Sequence, residues 1–180
     1  MPTIHYVLAV DPGARETGII TATGPDPGHL TLTMALVVVR RGGETLDVDP
    51  RYLHEITTAM HALLDETPHG TTALLAVEGV TRPNAHHHGK LSFIDPSGLL
   101  ATAITFGAIT GDHWPCPLIA VRPGANGSGP AALYPTRIRI PAGGKGGDRA
   151  RHLRSAWDVA ISGLRDHRQA SRPPRRTLSG

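Results

Sequence analysis

Residues 6–20 read YVLAVDPGARETGII, an apolar run that stops at Asp11, turns through Pro12 and Gly13, and turns apolar again after Thr17 and Gly18. A carboxylate at the end of a buried strand is costly unless a cation or hydrogen-bond donors meet it. The stretch alone leaves three partners open: a phosphate chain held through neighbouring backbone, a metal ion, or only the turn itself.

Outward from this stretch the pattern alternates between strand and helix. HYVLAV (5–10) is a continuous apolar run closed by Asp-Pro-Gly and predicts a buried strand. TGIITAT (17–23) predicts a second strand, and HLTLTMALVVVRR (29–41) a third, with Leu30, Leu32 and Met34 alternating at its start. Short turns join the three as an antiparallel meander. DPRYLHEITTAMHALLDET (49–67) has helical spacing, with Leu53, Ile56, Met60, Leu63 and Leu64 on one face and Asp-Pro as its start signal. TTALLAVEGV (71–80) is a fourth strand, DPSGLLATAITFGAITG (95–111) a helix of small and apolar residues, and CPLIAVRP (116–123) a fifth strand. DRARHLRSAWDVAISGLRDH (148–167) predicts the closing helix, packed through Leu153, Ala156, Trp157 and Ala160. The expected fold is α/β: a five-stranded mixed sheet, antiparallel meander plus parallel strands, flanked by helices. Residues 80–94 and 122–147 carry no periodicity and are expected to be long loops, functional or mobile.

With 180 residues the chain is expected to form one domain, 1–165, followed by a basic, disordered tail, 166–180. No apolar run approaches the roughly 20 residues that span a bilayer. The opening MPTIHYVLAV lacks a charged segment and cleavage site, and one cysteine, Cys116, excludes an internal disulfide. A cytoplasmic location without a membrane partner is the expectation. The net charge is only +3, and Lys90 and Lys145 are the only lysines, yet arginines crowd the chain from Arg137 onward. That asymmetry suits a polyanionic partner, the alternative being simply an Arg-rich composition.

VLAVD and LLAVE end alike, so Glu78 is a second strand-terminal acid. If the two strands are neighbours, the paired carboxylates repel and need a divalent cation or a shared proton. Mg²⁺ held by carboxylates, phosphate oxygens and water is the common solution. On the closing helix Asp158 shares a face with Arg151 and Arg154, with Ser155 about 60° away and His152 one turn before Ser155. Asp148 stands near that helix's start, where capping is its alternative role.

VLAVDPGARETGII, LLAVEGV, DPSGLLATAITFGAITG and HLRSAWDVAISGL together resemble RuvC-type Holliday-junction resolvases of the RNase H-like superfamily, over most of residues 4–164. The resemblance implies a structure-specific endonuclease that nicks four-way DNA junctions symmetrically, using two Mg²⁺ ions per site, with Mn²⁺ substituting. It implies Asp11 and Glu78 as metal-binding carboxylates. The last motif departs from the family's pattern of Asp or His, two residues, then Asp-Ala: HLRSA keeps the histidine and alanine but has Ser155 where the second acid stands. Asp158 is the favoured third carboxylate, with His152 assisting and Asp148 as the substitute. Expected DNA contacts are Arg82 and Lys90 after the second acid, then Arg137, Arg139, Lys145, Arg149, Arg151 and Arg154. His86, His87 and His88 accompany the first group, and Phe93 is a junction wedge or a buried helix-entrance residue. Family members act as two-fold homodimers, and the small-residue helix 95–111 suits such an interface or close packing onto its own sheet. Three rival readings stand beside the resolvase: another RNase H-like nuclease, a non-catalytic junction- or DNA-binding relative, and an actin-like or sugar-kinase-type ATP-binding protein. The last needs two such domains.

Overall fold

The computed structural model describes residues 3–42, 49–80, 86–87, 90–91, 96–124, 127–139 and 147–171, with side chains left out at 86–87, 90–91, 96 and 147–148. The elements run β1 (Ile4–Asp11), β2 (Glu16–Gly24), β3 (Thr31–Val39), α1 (Pro50–Asp65), β4 (Thr71–Glu78), β5 (His86–His87), β6 (Lys90–Leu91), α2 (Pro96–Thr110), β7 (Leu118–Val121) and α3 (Gly147–Ala170). Five strands form one mixed sheet in the order β3-β2-β1-β4-β7. β1 pairs antiparallel with β2 and parallel with β4, and β7 joins β4 in parallel.

Alternation along the strands decides what each helix covers. Val7, Ala9, Leu74 and Ala76 face α3, meeting Ala156, Trp157, Ala160 and Leu164. Tyr6, Leu8, Val10, Leu75 and Val77 face the other way, toward Tyr52, Ile56 and Met60 of α1 and Ile109 of α2. Asp11 and Glu78 continue the α3-facing series by parity. Val10 pairs with Val77, so the next residue on each strand, Asp11 and Glu78, ends the two central strands side by side.

The predicted strands and helices all form, with three differences in extent. The region after Glu78 holds a small antiparallel pair in which His86 faces Leu91 and His87 faces Lys90, so it is not wholly structureless. Segment 127–139 is ordered by two 3-10 turns, Ala131–Leu133 and Thr136–Ile138, with Tyr134 and Ile138 buried in the α3-side core. Tyr134 and Ile138 are four residues apart, a helical spacing, but Pro130 and Pro135 break the stretch so that no helix period shows. α3 continues to Ala170, so the expected boundary at 165 falls inside it. Among the described residues no helix is long and apolar enough to cross a membrane.

Candidate active site

β1 leaves the sheet through a turn whose backbone is gripped from the α1 side. The Gly13 amide donates to Thr17 Oγ1 (3.3 Å), and the Tyr52 hydroxyl donates to the Gly13 carbonyl (3.1 Å). With the Tyr52 proton committed, the 2.7 Å contact between Thr17 Oγ1 and Tyr52 Oη has threonine as donor. Within this closed ring each group donates once and accepts once, and the Gly13 carbonyl accepts a further bond from the Thr105 hydroxyl (3.4 Å), which suits its burial. Burial pushes the Tyr52 phenol up to about 12. Tyr52 lies four residues before Ile56, so spacing places it on the core face, whereas its hydroxyl's role is invisible in the sequence.

The Asp11 side chain lies on the opposite face, where α3 waits. His152 Nδ1 sits 2.7 Å from Asp11 Oδ2, and the Ser155 hydroxyl donates to Glu78 Oε2 at 2.9 Å. Gly18 makes this approach possible. It pairs with Asp11 across β1 and β2, and a Cβ there would stand 2.5 Å from the His152 carbonyl oxygen. Any larger residue would push the histidine's turn of α3 off the sheet. Here Thr17 and Gly18 have separate roles: threonine closes the ring under the turn, and glycine admits the helix above it.

Glu78 is 7% exposed. Burial first, and then the adjoining Asp11 carboxyl, push its carboxyl up to about 8, against the pull of the Ser155 hydroxyl. His152 moves upward as well, chiefly because Asp11 accepts its hydrogen bond, although burial opposes the change. Asp11, Glu78, His152 and Ser155 line one cavity of about 340 Å³ together with Pro12, Pro123 and Arg151. Its defining feature is a pair of crowded carboxyls, which repel unless a cation or a shared proton joins them.

Asp158 has hydrogen-bond partners of its own. One turn beyond Ser155, its Oδ2 accepts from the Gly127 amide (3.2 Å) and from the Tyr134 hydroxyl (3.1 Å). It lines a second, adjoining cavity with Glu78, Arg122 and Ser155. The residues that α3 brings against the strand-end acids are therefore His152 and Ser155, because a three-residue step spans about one helical turn while Asp158 lies a further turn along. Burial raises the Asp158 carboxyl, and the Gly127, Tyr134 and Arg154 contacts offset part of that rise.

The expected DNA-contacting residues divide. Arg151 is exposed and lines the cavity of Asp11. Arg154 is corrected from a DNA contact to a buried structural residue: it is 8% exposed, donates from Nε to the Gly127 carbonyl, and lies 5.7 Å from the Tyr134 ring centre. Arg137, Arg139 and Arg149 are exposed but engaged, with the Thr33 carbonyl, the Tyr134 and Ala132 carbonyls, and Glu16 respectively. Lys90 is described only as β6 backbone and Asp148 only as α3 backbone, while Arg82, His88, Phe93 and Lys145 lie outside the described residues. Arg122, exposed at the end of β7 beside Glu78, joins the site unannounced by any motif.

No family model matches this sequence, and no curated protein matches it. Solved structures do. Thermus thermophilus RuvC in complex with Holliday junction substrate aligns at a TM-score of 0.50 and 18% identity, covering 94% of this chain and 97% of that one. A second Thermus thermophilus RuvC structure aligns at a TM-score of 0.48 and 19% identity, covering 92% and 97%. At such identities the likeness concerns architecture, and it runs nearly end to end in both chains. The protein has a divergent RuvC-like fold of the RNase H-like type.

Proposed function

We propose that the protein is a divalent-cation-dependent endonuclease that resolves four-way DNA junctions. One observation carries the reading: within a RuvC-like fold, two carboxylates ending adjacent central strands share a cavity with a histidine and a serine from the closing helix. Two such acids in contact form a donor set for a hard cation whose remaining positions go to phosphate oxygens and water. Among the described residues no group of three acid, histidine or cysteine side chains is arranged as a closed metal cage, so substrate and water would supply the other ligands. Asp11 and Glu78 would hold Mg²⁺, or Mn²⁺ in its place, and the resemblance implies two ions. Bound there, the cation supplies a lowered pKa for an attacking water and charge stabilisation at the phosphorus.

The protein's own groups do the rest. Asp11 holds His152 by Nδ1, leaving Nε2 as the nitrogen that exchanges a proton with water or a phosphate oxygen. Ser155 orients Glu78, and Arg151 offers a cation to the DNA backbone at the cavity rim. A homodimer is proposed to bring two such sites to one junction, since a four-way junction has two strands of like polarity. α2 supports it by leaving Leu100 54% exposed and the space over Gly107 open.

The test is purified protein with Mg²⁺ or Mn²⁺ and an end-labelled four-way junction. Paired symmetric nicks, with a dimer by sedimentation, are expected. Ser155 at an acid's expected position favours a second reading, a non-catalytic junction binder, which would show binding with no nick under either cation. ATP turnover without nicking would overturn both.

A further inference from the structure

Between β7 and α3 the chain does not simply loop away from the sheet. Segment 127–139 runs along α3, and its far end reaches the opposite edge of the sheet, where the Arg137 guanidinium donates to the Thr33 carbonyl of β3 (3.3 Å). Beside the packing of Tyr134 and Ile138 in the α3-side core, its polar contact with α3 is built from two helical side chains one turn apart. Asp158 accepts from Gly127 N and from the Tyr134 hydroxyl, and that hydroxyl accepts from Gly129 N (3.1 Å). Arg154 Nε donates to the Gly127 carbonyl (2.9 Å), so Gly127 is held by both its backbone groups. Gly127 has φ +68°, and a Cβ there would stand 2.5 Å from the Arg151 carbonyl oxygen and 2.8 Å from the Ser155 amide nitrogen. The segment therefore presses on the turn of α3 that carries Ser155, and Ser155 donates to Glu78.

We propose that Asp158 is a positioning residue rather than a metal ligand: it anchors the 127–139 segment across α3, and the seated segment holds Ser155 against Glu78. Resting on the nuclease reading of the site, the inference changes what position 158 must supply. A ligand must bring negative charge. An anchor needs only an acceptor oxygen toward Gly127 and Tyr134, which the side-chain amide introduced by Asp158→Asn also provides.

The experiment compares Asp158→Asn, Asp158→Ala and Asp11→Asn in the full chain by three readouts: trypsin cleavage after Arg137 or Arg139, the rise in Tm on adding Mg²⁺, and junction nicking. Asp158→Asn should match wild type in proteolysis and in the Mg²⁺-dependent Tm rise, and nick within about threefold of it. Asp158→Ala should be cut within the segment at least about tenfold faster, with a reduced Tm rise. Asp11→Asn should lose the Tm rise while its segment stays protected. If Asp158→Ala does not fold, Tyr134→Phe removes one donor to Asp158 and the acceptor for Gly129, and should shift the same readouts in the same direction by less. An Asp158→Asn protein that loses the Tm rise as Asp11→Asn does would overturn the proposal. So would a variant lacking the anchor whose segment stays protected and whose Tm rise is unchanged. Wild type that never nicks would sink the nuclease reading, while proteolysis and the Tm rise still decide the anchor.

Discussion

β1 and β7 run parallel within one sheet and finish at the same end of it, yet the chain leaves them in opposite ways. After β1 it turns within a few residues, and a buried ring of Gly13, Thr17 and Tyr52 satisfies the turn. After β7 it continues along α3, and side chains from that helix hold it. The first exit keeps Asp11 on a rigid strand end. The second carries the chain across α3, where Arg154 and Asp158 bond to Gly127 and Tyr134. The charged centre sits on the sheet, and loop residues directly after β7 line its walls, Pro123 in one cavity and Arg122 and Gly124 in the other, the usual division between scaffold and variable element.

The contrast can be broken most forcefully at its centre. Asp11→Asn should lower junction cleavage by at least about a hundredfold, a loss of the size caused by removing one preorganised electrostatic partner. Junction binding should persist or tighten, because a negative charge facing phosphate is gone. Normal cleavage by this variant would remove β1 from the chemistry and leave the comparison without its rigid half.

Metal-free stability tests the same strand ends by pH. The carboxyl of Glu78 is raised above its unfolded value of 4.5 to about 8, so the folded state binds the extra proton. Its contribution is fully present below pH 4.5 and is lost as pH rises toward 8. Urea unfolding in chelator should therefore show wild type losing stability across that window more steeply than Glu78→Gln. Equal slopes for the two proteins would mean that the acids do not crowd each other.

The two exits can be compared directly through their tyrosines. Tyr52→Phe opens a fully buried hydrogen-bond ring and should cost about 1–3 kcal/mol in urea unfolding. Tyr134→Phe disturbs a part-buried set and should cost less. The reverse ranking would mean that the segment after β7, and not the turn after β1, is the rigid element.

The smallest effect separates two arginines one turn apart. Arg151→Ala should weaken junction binding and reduce the salt slope by about 1, as loss of one phosphate contact does. Arg154→Ala should leave that slope unchanged and lower the unfolding midpoint, since Arg154 faces Gly127 and Tyr134. Matching salt slopes would place both on the DNA.

Much of this protein is legible in its residues because the governing interactions are local or periodic. Apolar runs ended by Asp11 and Glu78 mark two strands, and period-2 alternation puts both acids on the face that α3 covers. Leu53 is only partly buried and Tyr52 is fully so, a one-residue shift in the face of α1 that leaves its periodicity intact. The third position behaved differently. His152, Ser155 and Asp158 all lie on α3 within two turns, and side-chain type favoured Asp158 as an acid. Helix phase relative to the sheet places His152 on Asp11 and Ser155 on Glu78, and that phase depends on contacts such as Gly18 against His152.

By itself, then, the sequence determined the α/β order of strands and helices and marked two strand-end carboxylates, since pattern and parity act between near neighbours along the chain, while the pairing of β1 with β4 sets those acids side by side. Tertiary structure alone decided that Arg154 is buried, that Asp158 turns to Gly127 and Tyr134, and that Ser155 reaches Glu78. Those partners lie 27, 31, 24 and 77 residues apart, and no local period records which of them meet.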